Sequence, residues 1–150
     1  MKQAAVFLVA TNDIFAEGVI DLLTSDPRFA VVGWARSGFE ALERLPSREV
    51  DVLLVDVTLP DATGFELARH VASQSSAPLV ILLSFHDSSA VRLEAWAAGA
   101  SGFIDKTRIA DHLLPLVGDL LRKRDADARD EESCAQAGTA HETAHLAPES

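Results

Sequence analysis

VDVLLVDVTLPDATG, residues 50–64, decides the fold. Val50 through Val55 is apolar on both faces apart from Asp51, which is how a strand reads when helices cover both sides of its sheet. The run ends in a carboxylate, Asp56. Leu59-Pro60-Asp61 reads as a turn. Thr63 reads as the N-cap of a helix continuing to about Gln74, with Phe65, Leu67, Ala68 and Val71 on its inner side. Strand, loop and helix in that order are one unit of an α/β sheet.

The same alternation recurs on either side. Upstream, Ala5–Val9 is a short β-rich run. Residues 14–23 are apolar at helical spacing, with Thr11, Asn12 or Asp13 to cap them and Pro27 to stop the helix. Ala30–Trp34 is a second strand ending at a sheet edge. Ser37 can cap a short helix whose apolar positions are Phe39, Leu42 and Leu45, ended by Pro46. Downstream, Leu79–Leu83 is a strand, and a helix follows from about Ser88 to Ala98, stopped by Gly99. Val91 and Trp96 fall in its inner stripe, Leu93 less directly. Gly102–Ile104 is a fifth strand, and a last helix runs from about Arg108 to Arg122. Five β-α units with right-handed crossovers predict a doubly wound parallel sheet, whose functional residues gather beyond the carboxyl ends of the strands.

Composition bounds the rest. The chain has 150 residues, 48% of them hydrophobic, which suits one packed domain. After Leu121 the sequence turns charged and alanine-rich. Residues 1–123 are therefore expected to form the domain, and 124–150 a flexible acidic, Ala-rich tail. Thirteen basic against 23 acidic residues give a net charge of -10, which disfavours direct contact with nucleic acid. No apolar run approaches the roughly 20 residues of a membrane span. One cysteine, Cys134, offers neither an internal disulfide nor zinc-site spacing, so the cytoplasm is the expected compartment.

Three strand ends carry chemistry. Asp56 follows the third strand, Ser84 the fourth, and Asp105-Lys106 the fifth. A carboxylate can attack phosphorus. An ammonium can neutralise phosphoryl oxygens, and a hydroxyl can hydrogen-bond one of them. An acid–base pair and a glycine-rich phosphate loop are both lacking, so an enzyme acting on an external substrate is not expected.

These stretches resemble the receiver domains of bacterial response regulators, over about residues 4–122. LLVDVTLPDATGFELARHV surrounds Asp56, and AWAAGASGFIDKT resembles the family's AGAxGYLxK segment. IFAEGVIDLLTSDPRFAVVGWARSGFEAL resembles receivers that precede a helix-turn-helix output domain. The resemblance implies a flavodoxin-like sheet of order 2-1-3-4-5 with five helices. It implies Asp56 as phosphoacceptor, Ser84 and Lys106 as phosphoryl-coordinating groups, and Phe103 as the switch aromatic that follows the hydroxyl inward.

Two departures change the expectation. Family members end the first strand with two adjacent acidic residues that hold Mg²⁺; Ala10 and Thr11 stand there in this chain. Mg²⁺ wants near-octahedral oxygen ligation, and Asp56, the Thr58 carbonyl and Asp13 are the remaining candidates. No cofactor is expected, and without the metal phosphoryl transfer loses its main charge neutraliser. An Asp56–Lys106 ion pair would then hold the site in one conformation. The second departure is Phe85, a bulky ring where the family commonly has a small residue, placed to cover the site.

The expected function is an atypical stand-alone receiver in a phosphorelay-type signalling pathway, acting through protein contacts. No recognition helix follows residue 122 in this chain. Its partners would be a histidine kinase or a downstream regulator. A homodimer through the fourth helix, fifth strand and fifth helix is the family-motivated assembly, with Val91, Trp96, Phe103 and Leu116 at that face. The alternatives are a working phospho-receiver modified on Asp56 by a histidine kinase, and a flavodoxin-like binder of a small ligand.

Overall fold

The computed structural model describes residues 3–45 and 49–145. Five strands, β1 (Ala4–Val9), β2 (Phe29–Ala35), β3 (Val52–Asp56), β4 (Leu79–Ser84) and β5 (Gly102–Asp105), form one parallel sheet of order 2-1-3-4-5. The helices are α1 (Asp13–Thr24), α2 (Gly38–Arg44), α3 (Gly64–Ala72), α4 (Ser89–Ala97) and α5 (Ile109–His145). The expected fold is the observed one, and the alternation has its predicted cause. β3 is buried at every position, and β4 at all but its first.

Side-chain oxygens start the helices. Asn12, Ser37, Thr63 and Ser88 accept from the backbone N–H groups of Phe15, Glu40, Glu66 and Val91. At Thr63 the partner Glu66 reaches back to the cap's own N–H, a capping box that fixes where α3 begins. Gly99, with φ +88°, takes the left-handed conformation past the end of α4.

Two helices turn a different face to the sheet than their large apolar residues suggested. In α2 the buried positions are Gly38 and Ala41, while Phe39 is 67% exposed and Leu42 is exposed too. In α4 the buried residue is Ala95; Val91 is half-buried, and Leu93 and Trp96 stand in solvent. Trp96 is therefore no core residue. Small residues bring these helices close to the sheet, so the large ones at neighbouring positions point away.

α5 extends to His145, past the expected end at Arg122. Residues 123–137 contain neither Gly nor Pro and are rich in Ala, Glu and Arg, a composition weighted towards helix formers. Pro115, near the start of α5, costs the helix one backbone hydrogen bond. The chain divides into two units, residues 1–117 and 118–150, the first holding the sheet. Pro46, expected to end α2, and residues 146–150 of the expected tail lie outside the described residues.

Register sets the site. Val9 pairs with Val55, Asp56 with Leu83, and Ser84 with Asp105, so β1, β3, β4 and β5 all finish at one edge.

Candidate functional site

Asp56 closes β3 with its side chain 7% exposed. One carboxylate oxygen accepts from the Thr58 backbone N–H at 3.0 Å, which shapes the turn leaving the strand. The other forms a short ion pair with the Lys106 ammonium, whose side chain is 8% exposed. Lys106 opens the single 3-10 turn after β5 (Lys106–Arg108), which Asp105 caps through the Thr107 N–H. That N–H, with the Thr107 hydroxyl, holds the Asp105 carboxyl below the usual range. Two phenyl rings flank the ammonium. Its nitrogen lies 4.6 Å from the centroid of Phe15, on α1, and 4.8 Å from that of Phe85, in the β4–α4 connection. Phe15 belongs to the site and was not anticipated, because nothing in the local sequence places α1 over Lys106.

Gly64 lets α3 start against this strand end. A Cβ there would collide with the Asp56 carbonyl oxygen and come within 2.7 Å of the Val57 Cα. The Thr58–Thr63 bridge and a 2.7 Å bond from the Gly64 N–H to the Val57 carbonyl close the loop. Asp61, at its tip, crosses to α2 and accepts from the Phe39 and Gly38 N–H groups at 2.8 and 3.0 Å. Those two bonds, Phe39 first, hold the Asp61 carboxyl below the ordinary carboxylate value. The loop after Asp56 is thereby tied to a neighbouring helix start.

Ser84 is buried at the end of β4, and its hydroxyl accepts from the His86 N–H at 2.9 Å. Phe103 is buried in β5 with the Arg92 guanidinium 5.0 Å from its ring centroid. Arg92 in turn grips Asp87 through two bonds of 2.6 and 2.9 Å, which lower the Asp87 carboxyl and raise the guanidinium.

The end of β1 is built differently. Ala10 is fully buried and its carbonyl accepts from the Trp34 indole N–H at 2.9 Å. The Thr11 hydroxyl donates to the Arg36 carbonyl at 3.0 Å. The Arg36 guanidinium stacks on Trp34, 4.2 Å from its ring centroid, and pairs with Asp13 at 3.0 Å. The family's metal asks for several oxygen donors facing one point. In this chain both carboxylate oxygens of Asp56, the Ala10 carbonyl, the Thr11 hydroxyl and one oxygen of Asp13 already hold a protein partner. Among the described residues no group of three or more His, Cys, Asp or Glu could hold a metal. This donor set is poorer in free carboxylates than octahedral Mg²⁺ ligation asks for.

The structure thus brings Asp56, Ser84 and Lys106 to one edge and leaves Asp13 engaged elsewhere. Of the residues expected at the partner face, Trp96 is half-exposed, Val91 and Leu116 are half-buried and Phe103 is buried. A cavity of about 530 Å³ lies at the opposite pole, beneath the starts of β1 and β3, lined among others by Leu42, Asp51, His70 and Pro78. Among the described residues no helix is long and apolar enough to cross a membrane.

Known proteins share this layout. The family model of the response regulator receiver domain matches residues 6–117. The chain is 41% identical over 101 residues to the DNA-binding transcriptional activator DevR/DosR of Mycobacterium tuberculosis, covering 67% of this chain and 46% of that protein. It is 38% identical over 112 residues to the transcriptional regulatory protein UhpA of Escherichia coli, covering 75% and 56%. The chain spans about half the length of these relatives. Among solved structures, a LuxR-family two-component response regulator from Aurantimonas sp. SI85-9A1 superposes with a TM-score of 0.76 at 30% identity, over 81% of this chain and 87% of that one. The signal receiver domain of Mycobacterium tuberculosis NarL gives 0.68 at 31%, over 77% and 97%.

Proposed function

From the premise that this chain belongs to the response-regulator receiver family, we propose that it is an atypical receiver that signals through protein contacts without Mg²⁺-dependent phosphorylation of Asp56. The carrying observation is the buried Asp56–Lys106 ion pair in a site whose other oxygens are committed. A carboxylate engaged by an ammonium and a backbone N–H is a weak nucleophile, and Ala10 and Thr11 stand where a carboxylate pair would help a metal offset phosphoryl charge. Ser84, bonded to the His86 N–H, and Phe103, buried beneath the Arg92 guanidinium, then describe one standing conformation rather than one arm of a switch.

Output passes to a protein partner, a histidine kinase or a downstream regulator, across the face of α4, β5 and the start of α5. Exposed Trp96 and Leu93 support this, being the kind of large side chains that anchor interfaces. A homodimer through the same face is the alternative assembly. The second reading, a working phospho-receiver, draws on the convergence of Asp56, Ser84 and Lys106 at one edge.

Intact-mass spectrometry after incubation with Mg²⁺ and acetyl phosphate tests the choice, with Asp56→Asn alongside. The expected result is no phosphoryl adduct on either protein. An adduct on the wild type that Asp56→Asn abolishes would overturn the proposal in favour of the second reading.

A further inference from the structure

The Lys106 ammonium stands over two aromatic rings. The rings arrive from separate elements. Phe15 belongs to the first turn of α1, whose cap Asn12 holds the Phe15 N–H at 2.8 Å. Phe85 follows the last residue of β4 and is 64% exposed, although it sits over an ammonium that is almost sealed from solvent. An exposed phenyl ring contributes little to a core. Its placement makes sense as a cover.

An ammonium has three donors and is strongly hydrated in the open. At Lys106 one donor goes to Asp56 and ring faces stand where water would otherwise be. Each ring presents its negative face to the cation, an attraction that strengthens as water is removed. We propose that Phe15 and Phe85 are positioning residues that clamp the Lys106 ammonium onto Asp56, making the protein's own lysine the resident cation of the acceptor carboxylate. This rests on the reading of the site as a metal-free ion pair. It adds what holds the pair shut: rings on two sides, so that a hydrated divalent ion would have to displace both the ammonium and a phenyl group.

The chain has three lysines, Lys2, Lys106 and Lys123, so each can be followed separately. The test is amine acylation of the full chain at neutral pH, with each lysine quantified by peptide mass spectrometry. The variants are Phe15→Leu, Phe85→Leu, their combination, Asp56→Asn, and Phe39→Leu as a distant exposed control. Circular dichroism confirms that each variant is folded. Wild-type Lys106 should react at least about a hundredfold more slowly than Lys123, and each leucine should recover about tenfold of that, the scale of a desolvated cation–π contact. Asp56→Asn should leave part of the protection in place. Lys106 reacting as fast as Lys123 in the wild type would overturn the clamp. So would full loss of protection in Asp56→Asn with no effect of either leucine, because the carboxylate alone would then hold the lysine. None of these rates depends on phosphorylation, so a phosphoryl adduct on Asp56 would sink the functional reading and leave the clamp to stand or fall by itself.

Discussion

The ends of β1 and of β3 to β5 lie side by side at one edge of the sheet, yet they are built to opposite purposes. β3 and β4 end in a carboxylate and a buried hydroxyl, Asp56 and Ser84, and the residue after β5 is Lys106, whose ammonium pairs with Asp56. At the end of β1 a buried alanine is sealed by an indole N–H, and the next hydroxyl is turned to a backbone carbonyl. The half of the edge that could hold a phosphoryl group is intact. The other half is a network of Trp34, Arg36 and Asp13. The difference teaches that one sheet edge can gather reactive side chains on some strands while a neighbouring strand commits its polar atoms to structure.

The contrast breaks most severely if the ion pair is cut. Lys106→Ala leaves the Asp56 carboxylate buried without a counter-charge, a change that costs on the order of 3–5 kcal/mol. Urea denaturation should show a large drop in midpoint. Replacing both members at once, Asp56→Leu with Lys106→Met, should recover much of the loss. A single variant unfolding at the wild-type urea concentration would mean that the pair is solvated and the two halves differ less than described.

Gly64→Ala probes the acceptor half through its backbone. The new methyl group meets the Asp56 carbonyl and the Val57 Cα, and the expected loss is about 1–3 kcal/mol, typical of overpacking. Amide chemical shifts should move along residues 56–64 and stay fixed at Ala10 and Thr11. Shifts of equal size at both places would merge the two halves into one unit.

The smallest effect is a pH dependence at the tie between the loop after Asp56 and α2. The Asp61 carboxyl is lowered in the folded protein by the Phe39 and Gly38 N–H groups. A lowered folded value means that its stabilisation is present above the ordinary carboxylate value of 3.8 and is lost as pH falls through the folded value. Asp61→Asn should therefore lower the melting temperature slightly at neutral pH, with the gap to wild type closing in acid. A gap that stays constant down to pH 2 would show that the carboxylate charge plays no part.

Much of this was legible in the residues. Strands β3 and β4 announced themselves because both faces are apolar, and Asp56, Ser84 and Lys106 because each follows a strand immediately. The caps at Ser37 and Thr63 were equally local. What escaped notice was non-local or small. The inner faces of α2 and α4 rest on Ala41 and Ala95, whose methyl groups carry little pattern beside Phe39 or Trp96. Size drew attention to the wrong side of each helix. Phe15, Trp34 and Arg36 join the site from elements distant in sequence, and only the strand order brings them to it. Asp61 read as a turn residue, and its second task on α2 is invisible without the fold.

The placement of the two tryptophans has an optical consequence. The chain contains no tyrosine, so Trp34 and Trp96 supply essentially all of its near-ultraviolet emission. Trp34 is hydrogen-bonded and stacked under a guanidinium beside the β1 end, while Trp96 stands half in solvent on α4. Aqueous quenchers reach the second more readily than the first. The molecule therefore carries two native chromophores, one beside its closed edge and one on its open face, and replacing either leaves the other as a single-colour gauge of its own neighbourhood.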